Sequence, residues 1–332
     1  MKKVLLVAVM VFLLAALGFA RGTSEQEGTG GIITIYTSVP QSIIDKIQSD
    51  FMNEHPDIEL EVFRAGTGSV IAKIATEMEA GEIQADLIWV AEPSTYESFK
   101  DQGILLKFTP GEASALADGM ADPEGYYYAG RLINMIIGYN TGMVDDPPST
   151  WQDLITNKYG GPKAMASPVT SGAALAAAYA IGKEYGEDYF VRLKNNGAVQ
   201  AKSNGSVRDA LSTGEYKTGI VLDYMMRSRI ESGAPVDYVW PEDGAVFIPS
   251  PIAIINTSDN IETAKVFVDY ALSANGQRTL VELGSFIPVR NDVDPPAGAP
   301  RLDEINALEI DWKELSQEAG GIREAWTQLF AQ

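Results

Sequence analysis

The sequence contains no cysteine and a single histidine, His55. The first absence excludes disulfides, iron–sulfur clusters, thiolate zinc sites and cysteine nucleophiles, so core burial alone must hold the fold. His55 lies in the polar turn Asn53-Glu54-His55-Pro56 and reads as a solvated loop residue, which leaves no base around which a Ser/His/Asp set could form. Nucleotide-loop signatures are missing as well. Gly66-Thr67-Gly68 lacks a third glycine and Val70-Ile71 follow it, and no P-loop lysine occurs. Neither catalysis nor a cofactor is expected. Basic residues are scarce, with 25 Lys and Arg against 45 Asp and Glu and a formal net charge of −20. Such a surface repels nucleic acid and anionic lipid, so neither is expected as a partner. An anionic ligand would need a local site built from helix N-termini and hydroxyls.

The N-terminus reads as an export address. Lys2 and Lys3 precede an unbroken apolar run over residues 4–17, and Gly18-Phe19-Ala20 offers the small residues that a signal peptidase reads. The run is short for a membrane span, and polar residues 21–31 follow as a flexible segment. No cysteine is available for lipid attachment. The expectation is a signal peptide over residues 1–20, cleaved near Ala20, and a soluble, monomeric periplasmic product.

The remaining chain alternates strands and helices. Residues 32–37 are a β-rich run, followed by a helix with Ile43, Ile44, Ile47 and Phe51 on one face. Residues 58–63 alternate apolar and acidic side chains as a half-exposed strand, and Gly66-Thr67-Gly68-Ser69 opens a second helix. Residues 86–90 read as a buried strand. A long β-rich stretch, 126–139, crosses into a second set of the same kind: strands at 164–167, 199–202, 218–222 and 235–240, helices at 171–181, 207–213 and 224–231. Residues 245–256 run back, helices follow at 263–272 and 277–283 with Ala274-Asn275-Gly276 as the break, and a final amphipathic helix lies around 322–330. Strand–helix alternation implies mainly parallel sheets flanked by helices, hence two α/β lobes. The boundaries are 32–137 with 246–292 for lobe 1 and 138–245 with 293–332 for lobe 2.

Ligands of open parallel sheets bind beyond the carboxyl ends of the strands. Those positions here are Thr37-Ser38, Thr67-Gly68-Ser69 and residues 89–92 (including Trp89 and Glu92) in the first lobe. In the second they are Thr170-Ser171-Gly172-Ala173, Ser203-Asn204-Gly205-Ser206 and Asp223-Tyr224. Hydroxyls and free backbone N–H groups at several junctions suit phosphate or carboxylate oxygens. Each alone is an ordinary helix cap. Trp89 also fits a core position, and Tyr127 cannot share a site with Tyr126 and Tyr128, because neighbouring strand residues point to opposite faces. Glu242-Asp243 lies in a turn, Pro241-Glu242-Asp243-Gly244, that a hinge connection alone explains.

Six segments in this order carry a resemblance: Ile33-Thr34-Ile35-Tyr36-Thr37-Ser38, Ala85-Asp86-Leu87, Gly138-Tyr139-Asn140-Thr141, Pro168-Val169-Thr170-Ser171-Gly172-Ala173, Ala264-Lys265-Val266-Phe267-Val268 and Ser273-Ala274-Asn275-Gly276-Gln277. Together they resemble the ferric-ion-binding-protein-like family of periplasmic binding proteins over nearly the whole mature chain. The resemblance implies a two-lobed, type 2 Venus-flytrap fold around a cleft, and docking to an ABC permease and ATPase. The family's iron ligands do not carry over. A histidine after the first strand and a glutamate after the Ala-Asp strand correspond to Pro40 and Ala91, and a tyrosine pair to Tyr224-Met225. The family's anion grip does match, at Ser171, Gly172, Ala173 and Asn204. The resemblance therefore implies a small phosphorylated organic anion as ligand (a sugar phosphate, phosphoglycerate or phosphonate). Asp223, with Glu92 or Glu242, would then face the organic end; Arg64 could balance charge, although a surface position suits it better. Ferric uptake and a sensing role for the same fold stay open.

Overall fold

The protein is described here by a computed structural model covering residues 30–331, so the expected signal peptide and nearly all of the flexible segment lie outside the described residues. The chain opens with β1 (Gly31–Thr37), α1 (Gln41–Glu54), β2 (Ile58–Arg64), α2 (Thr67–Ala80), β3 (Leu87–Trp89) and α3 (Pro93–Asp101). The face of α1 carrying Ile43, Ile44, Ile47 and Phe51 is buried. Helix α2 stops at Gly81, whose φ of +98° a side chain would disfavour. Strands β1, β2 and β3 are parallel, with β1 in the middle.

β4 (Tyr128–Asn140) then spans the molecule, and β5 (Lys163–Ala166), α4 (Gly172–Tyr185), α5 (Tyr189–Asn195), β6 (Ala198–Ala201), α6 (Asn204–Thr213), β7 (Thr218–Leu222), α7 (Asp223–Glu231) and β8 (Val236–Val239) build the second half. β9 (Val246–Ile254) returns, followed by α8 (Ile261–Leu272), α9 (Ala274–Gly284) and α10 (Trp312–Phe330). The strands run in the order β2-β1-β3-β9-β4-β7-β5-β6, with β8 also on β4. The two ends of this order are parallel units, β2-β1-β3 and β7-β5-β6, and antiparallel β9 and β4 join them.

Met135 marks the crossover: it pairs with Val246 on one side and Leu222 on the other. Before it β4 is bound to β9, and after it to β7 and β8. Two strands thus join the two units of the sheet, and helix α10 packs against both units.

Three details differ from the sequence reading. The break between α8 and α9 falls at Ser273, whose hydroxyl accepts from the Gly276 N–H at 3.0 Å and caps α9. Helices α3 and α5 were not anticipated. The stretch after residue 292 does not belong to one lobe. Leu302 and Ile305 pack on a cluster that includes Leu132 and Ile287, and Ala245 donates to the Asn306 carbonyl at 2.9 Å. Helix α10 packs against both α3 and α4. Among the described residues, no helix is long and apolar enough to cross a membrane.

Candidate functional site

The cleft lies where the carboxyl ends of the two parallel units face each other, and its walls touch. The Gly68 N–H donates to the Thr170 carbonyl at 3.4 Å. Glycine makes this approach possible: a Cβ on Gly68 would sit 2.3 Å from the Val169 carbonyl oxygen, and one on Gly172 would sit 2.7 Å from Glu92 Cγ. The structure is thus a closed cleft with Gly66, Gly68 and Gly172 along its seam.

Inside the seam is a cavity of about 540 Å3. Lobe 1 contributes Ser38, Thr67 and Ser69 to its wall, and lobe 2 contributes Ser171, Ala173, Asn204 and Tyr224. Ser171 caps α4 by accepting from the Ala174 N–H at 3.2 Å, and it also accepts from Asn204 Nδ2 at 3.0 Å. With its acceptor sites engaged, the Ser171 hydroxyl proton is left to point at a ligand. Ser203 caps α6 in the same way, accepting from the Ser206 N–H at 3.1 Å. A larger groove of about 640 Å3 runs between α4, α5 and α10. It is lined by outer helix faces such as Phe190, Val191 and Trp326, away from the strand ends, and its Lys183 and Glu318 are paired with each other.

The wall also holds four cations: Arg64, Arg131, Lys202 and Arg208. No aspartate or glutamate lines it. Arg131 is 2% exposed. Its Nε donates to Ser250 Oγ at 3.2 Å, and its guanidinium lies over the Phe286 ring at 5.2 Å. Burial pushes its pKa down to about 10, with Arg64 adding like-charge repulsion. Tyr224 packs on the same Phe286 ring, 4.3 Å between centroids. Burial pushes the Tyr224 phenol up to about 12 although Arg131, Arg208 and Arg64 all pull it down. Three buried polar atoms on this wall have no protein partner: Ser38 Oγ, Asn204 Oδ1 and Arg131 Nη1. Orphans cost free energy in a folded protein, and their convergence on one cavity marks where a ligand completes the hydrogen bonding.

Several expected site residues lie elsewhere. Thr37 is saturated, donating to the Trp89 carbonyl at 2.8 Å and accepting from the Val39 N–H at 3.0 Å. Trp89 is a core residue whose indole donates to the Ser250 carbonyl. Glu92 is the N-cap of α3, accepting from the Thr95 N–H and hydroxyl and the Ser94 hydroxyl. Asp223 is wholly buried, 2.7 Å from Arg227 and accepting from the Asn134 N–H at 3.0 Å. Glu242 is exposed in its turn and is not part of the wall. Gly68 and Gly172 act at the seam. The sequence reading left out Arg131, Lys202 and Arg208; Arg64, read as a charge balance or more readily a surface residue, is exposed and also lines the wall. A single arginine inside the otherwise apolar stretch of β4 was the available signal, because a charge there must be buried.

The sequence profile described as bacterial extracellular solute-binding protein matches residues 83–318. The chain belongs to that family. Solute-binding proteins of this kind are non-enzymatic transport components that deliver small ligands to ABC permease–ATPase complexes. A periplasmic protein of Salmonella typhimurium, named as a 2-aminoethylphosphonate binder, is 24% identical over 300 residues, 86% of this chain and 87% of that one. This solute-binding protein also superposes on the periplasmic binding protein AfuA of Actinobacillus pleuropneumoniae, solved with fructose-6-phosphate, with a TM-score of 0.83. That likeness, at 24% identity, covers 91% of this chain and 99% of AfuA. Iron-bound HitA of Pseudomonas aeruginosa gives a TM-score of 0.79 at 20% identity over 89% of this chain and 98% of HitA. These likenesses establish the two-lobed periplasmic-binding-protein fold of the solute-binding protein and leave the ligand to its own side chains.

Proposed function

We propose that this periplasmic solute-binding protein captures a small organic phosphate or phosphonate in the closed cleft and presents it to an importer. One observation carries the reading: a chain with a net charge of −20 walls its interlobe cavity with four cations and no carboxylate. Hydroxyls and the N-termini of α4 and α6 add neutral donors of the kind phosphoryl oxygens accept from. Because both lobes supply donors, a bound anion would hold them together, which couples affinity to closure.

The same wall argues against iron. Pro40, Ala91 and Met225, the positions matching the family's metal ligands, do line the cavity but offer no ligand atom of the right kind. Tyr224 alone is left, and a hard trivalent ion needs several anionic oxygen donors. Calorimetric titration with phosphate esters, alkylphosphonates and ferric nitrilotriacetate tests this. Stoichiometric binding of at least one phosphorus compound is expected. A visible-absorbing tyrosinate–iron complex that survives excess citrate would overturn the reading.

A further inference from the structure

We infer that the ligand carries a second anionic group beside its phosphoryl or phosphonyl, such as a carboxylate, and no ammonium. The inference rests on the phosphoryl reading of this cavity and narrows it. A phosphoryl group brings roughly −1.5 to −2 charges at neutral pH. The wall presents Arg64, Arg131, Lys202 and Arg208. Among the described residues Lys202 and Arg64 are in no ion pair. Arg208 shares Asp209 with Arg229, at 2.9 and 2.5 Å, so that trio keeps a positive balance. One phosphoryl therefore leaves positive charge over on the wall, where Arg131 is buried, Arg208 half-buried, and Arg64 and Lys202 exposed. A second anionic group on the ligand neutralises that excess.

The carboxylates that could receive an ammonium are all committed elsewhere. Asp223 is locked to Arg227, Glu92 caps α3 behind Gly172, and Glu242 lies out in its turn. A ligand ammonium in this cavity would find acceptors such as Asn204 Oδ1 but no carboxylate, and would face four cations. The orphaned Nη1 of buried Arg131 is the independent sign that the wall is built for an anion at its floor. Lys202, just before the Ser203 cap of α6, and Arg208, one turn inside that helix, both line the cavity and would hold the second group.

Near-isosteric probes separate the possibilities. Phosphonoacetate, ethylphosphonate and 2-aminoethylphosphonate differ mainly in a tail that is anionic, neutral or cationic, and 3-phosphoglycerate and glycerol 3-phosphate form a second pair. Titration calorimetry should show phosphonoacetate about tenfold or more tighter than ethylphosphonate, 2-aminoethylphosphonate weakest, and 3-phosphoglycerate ahead of glycerol 3-phosphate. In the double variant Lys202→Gln, Arg208→Gln the ratio of phosphonoacetate to ethylphosphonate affinity should collapse towards one. Binding of 2-aminoethylphosphonate as tight as phosphonoacetate, or a ratio unchanged in the double variant, overturns this inference while the phosphoryl reading stands. If no phosphorus compound binds at all, both fall together.

Discussion

Arg131 should stabilise the complex and destabilise the empty protein, and Arg131→Met separates the two effects. Burial holds the arginine at about 10, more than two pH units below its ordinary value. At about 1.4 kcal/mol per pH unit, that depression corresponds to roughly 3 kcal/mol against folding. The sign follows from proton counting. Between pH 10 and the ordinary arginine value the unfolded chain holds the proton that the folded chain has lost, so stability is recovered only on going up through that window. At neutral pH the whole penalty applies. Methionine fills most of the space, and its sulfur can rest on Phe286 as the guanidinium does. The variant loses the Nε bond to Ser250 and the cation–π contact, together about 2 kcal/mol. Ser250 is not stranded, because its hydroxyl still donates to the Val90 carbonyl at 2.7 Å. The empty variant should therefore be more stable than the wild type by about 1 kcal/mol, a rise in melting temperature of about 2 °C. Its affinity for an organic phosphate should fall by about 10- to 100-fold, the value of a hydrogen bond to a charged group. Scanning calorimetry and titration on the same sample read both. A melting temperature lower by 5 °C or more with affinity intact would mean that Arg131 is a packing residue and that the orphaned Nη1 has nothing to do with ligand.

Asp223→Ala should cost about 3–5 kcal/mol in denaturant unfolding by leaving Arg227 buried without its partner; an unfolding midpoint equal to the wild type would refute the buried pairing. The ranking of ligands should survive that substitution wherever the variant folds. Gly68→Ala places a methyl group against the Val169 carbonyl, so it should leave unfolding unchanged and weaken ligand by about tenfold or more through blocked closure; solution scattering should show its ligand-saturated radius of gyration staying at the open value, and normal closure would count against the seam. Gly320→Ala and Gly321→Ala each put a methyl group into open space within α10, and each should raise stability by about 0.5–1 kcal/mol, with a loss on either pointing to a helix contact that the structure lacks.

The parts of the fold legible in the sequence were those governed by one chain segment at a time. Apolar spacing in α1 and the strand alternation of β2 record a single buried face, and both are decided by their own side chains. What joins the units is not local. β4 changes partner at Met135 within an apolar stretch broken only by Asn134, whose bonds to Asp223 depend on a residue 89 positions away. Other misreadings had local signals that were outweighed. Glu92-Pro93 followed by Thr95 is the pattern of a capped helix with proline in its first turn, yet an acid at a strand end also resembles a ligand group. Asp223 and Arg227 stand four apart on one helix, the spacing of an intrahelical ion pair. Burial decides between such readings, and burial depends on what the rest of the chain brings alongside.

Charge shows the same division between what a sequence sums and what a fold selects. A net charge of −20 describes the mean field outside the molecule, and at physiological salt that field fades within about 8 Å. The cavity wall samples four positions, 64, 131, 202 and 208, that no window of sequence would place together. Hydroxyl and glycine positions at the strand ends were legible because a parallel sheet sends those junctions to one edge wherever it occurs. Three of the cations enter from other places: the end of β2, the middle of β4 and one turn inside α6. Their convergence depends on lobe closure, because Arg64 comes from one lobe and Lys202 and Arg208 from the other. In this family member the scaffold is written in periodicity, whereas the sign of the ligand is written in the three-dimensional selection of a few cations from a chain dominated by acids.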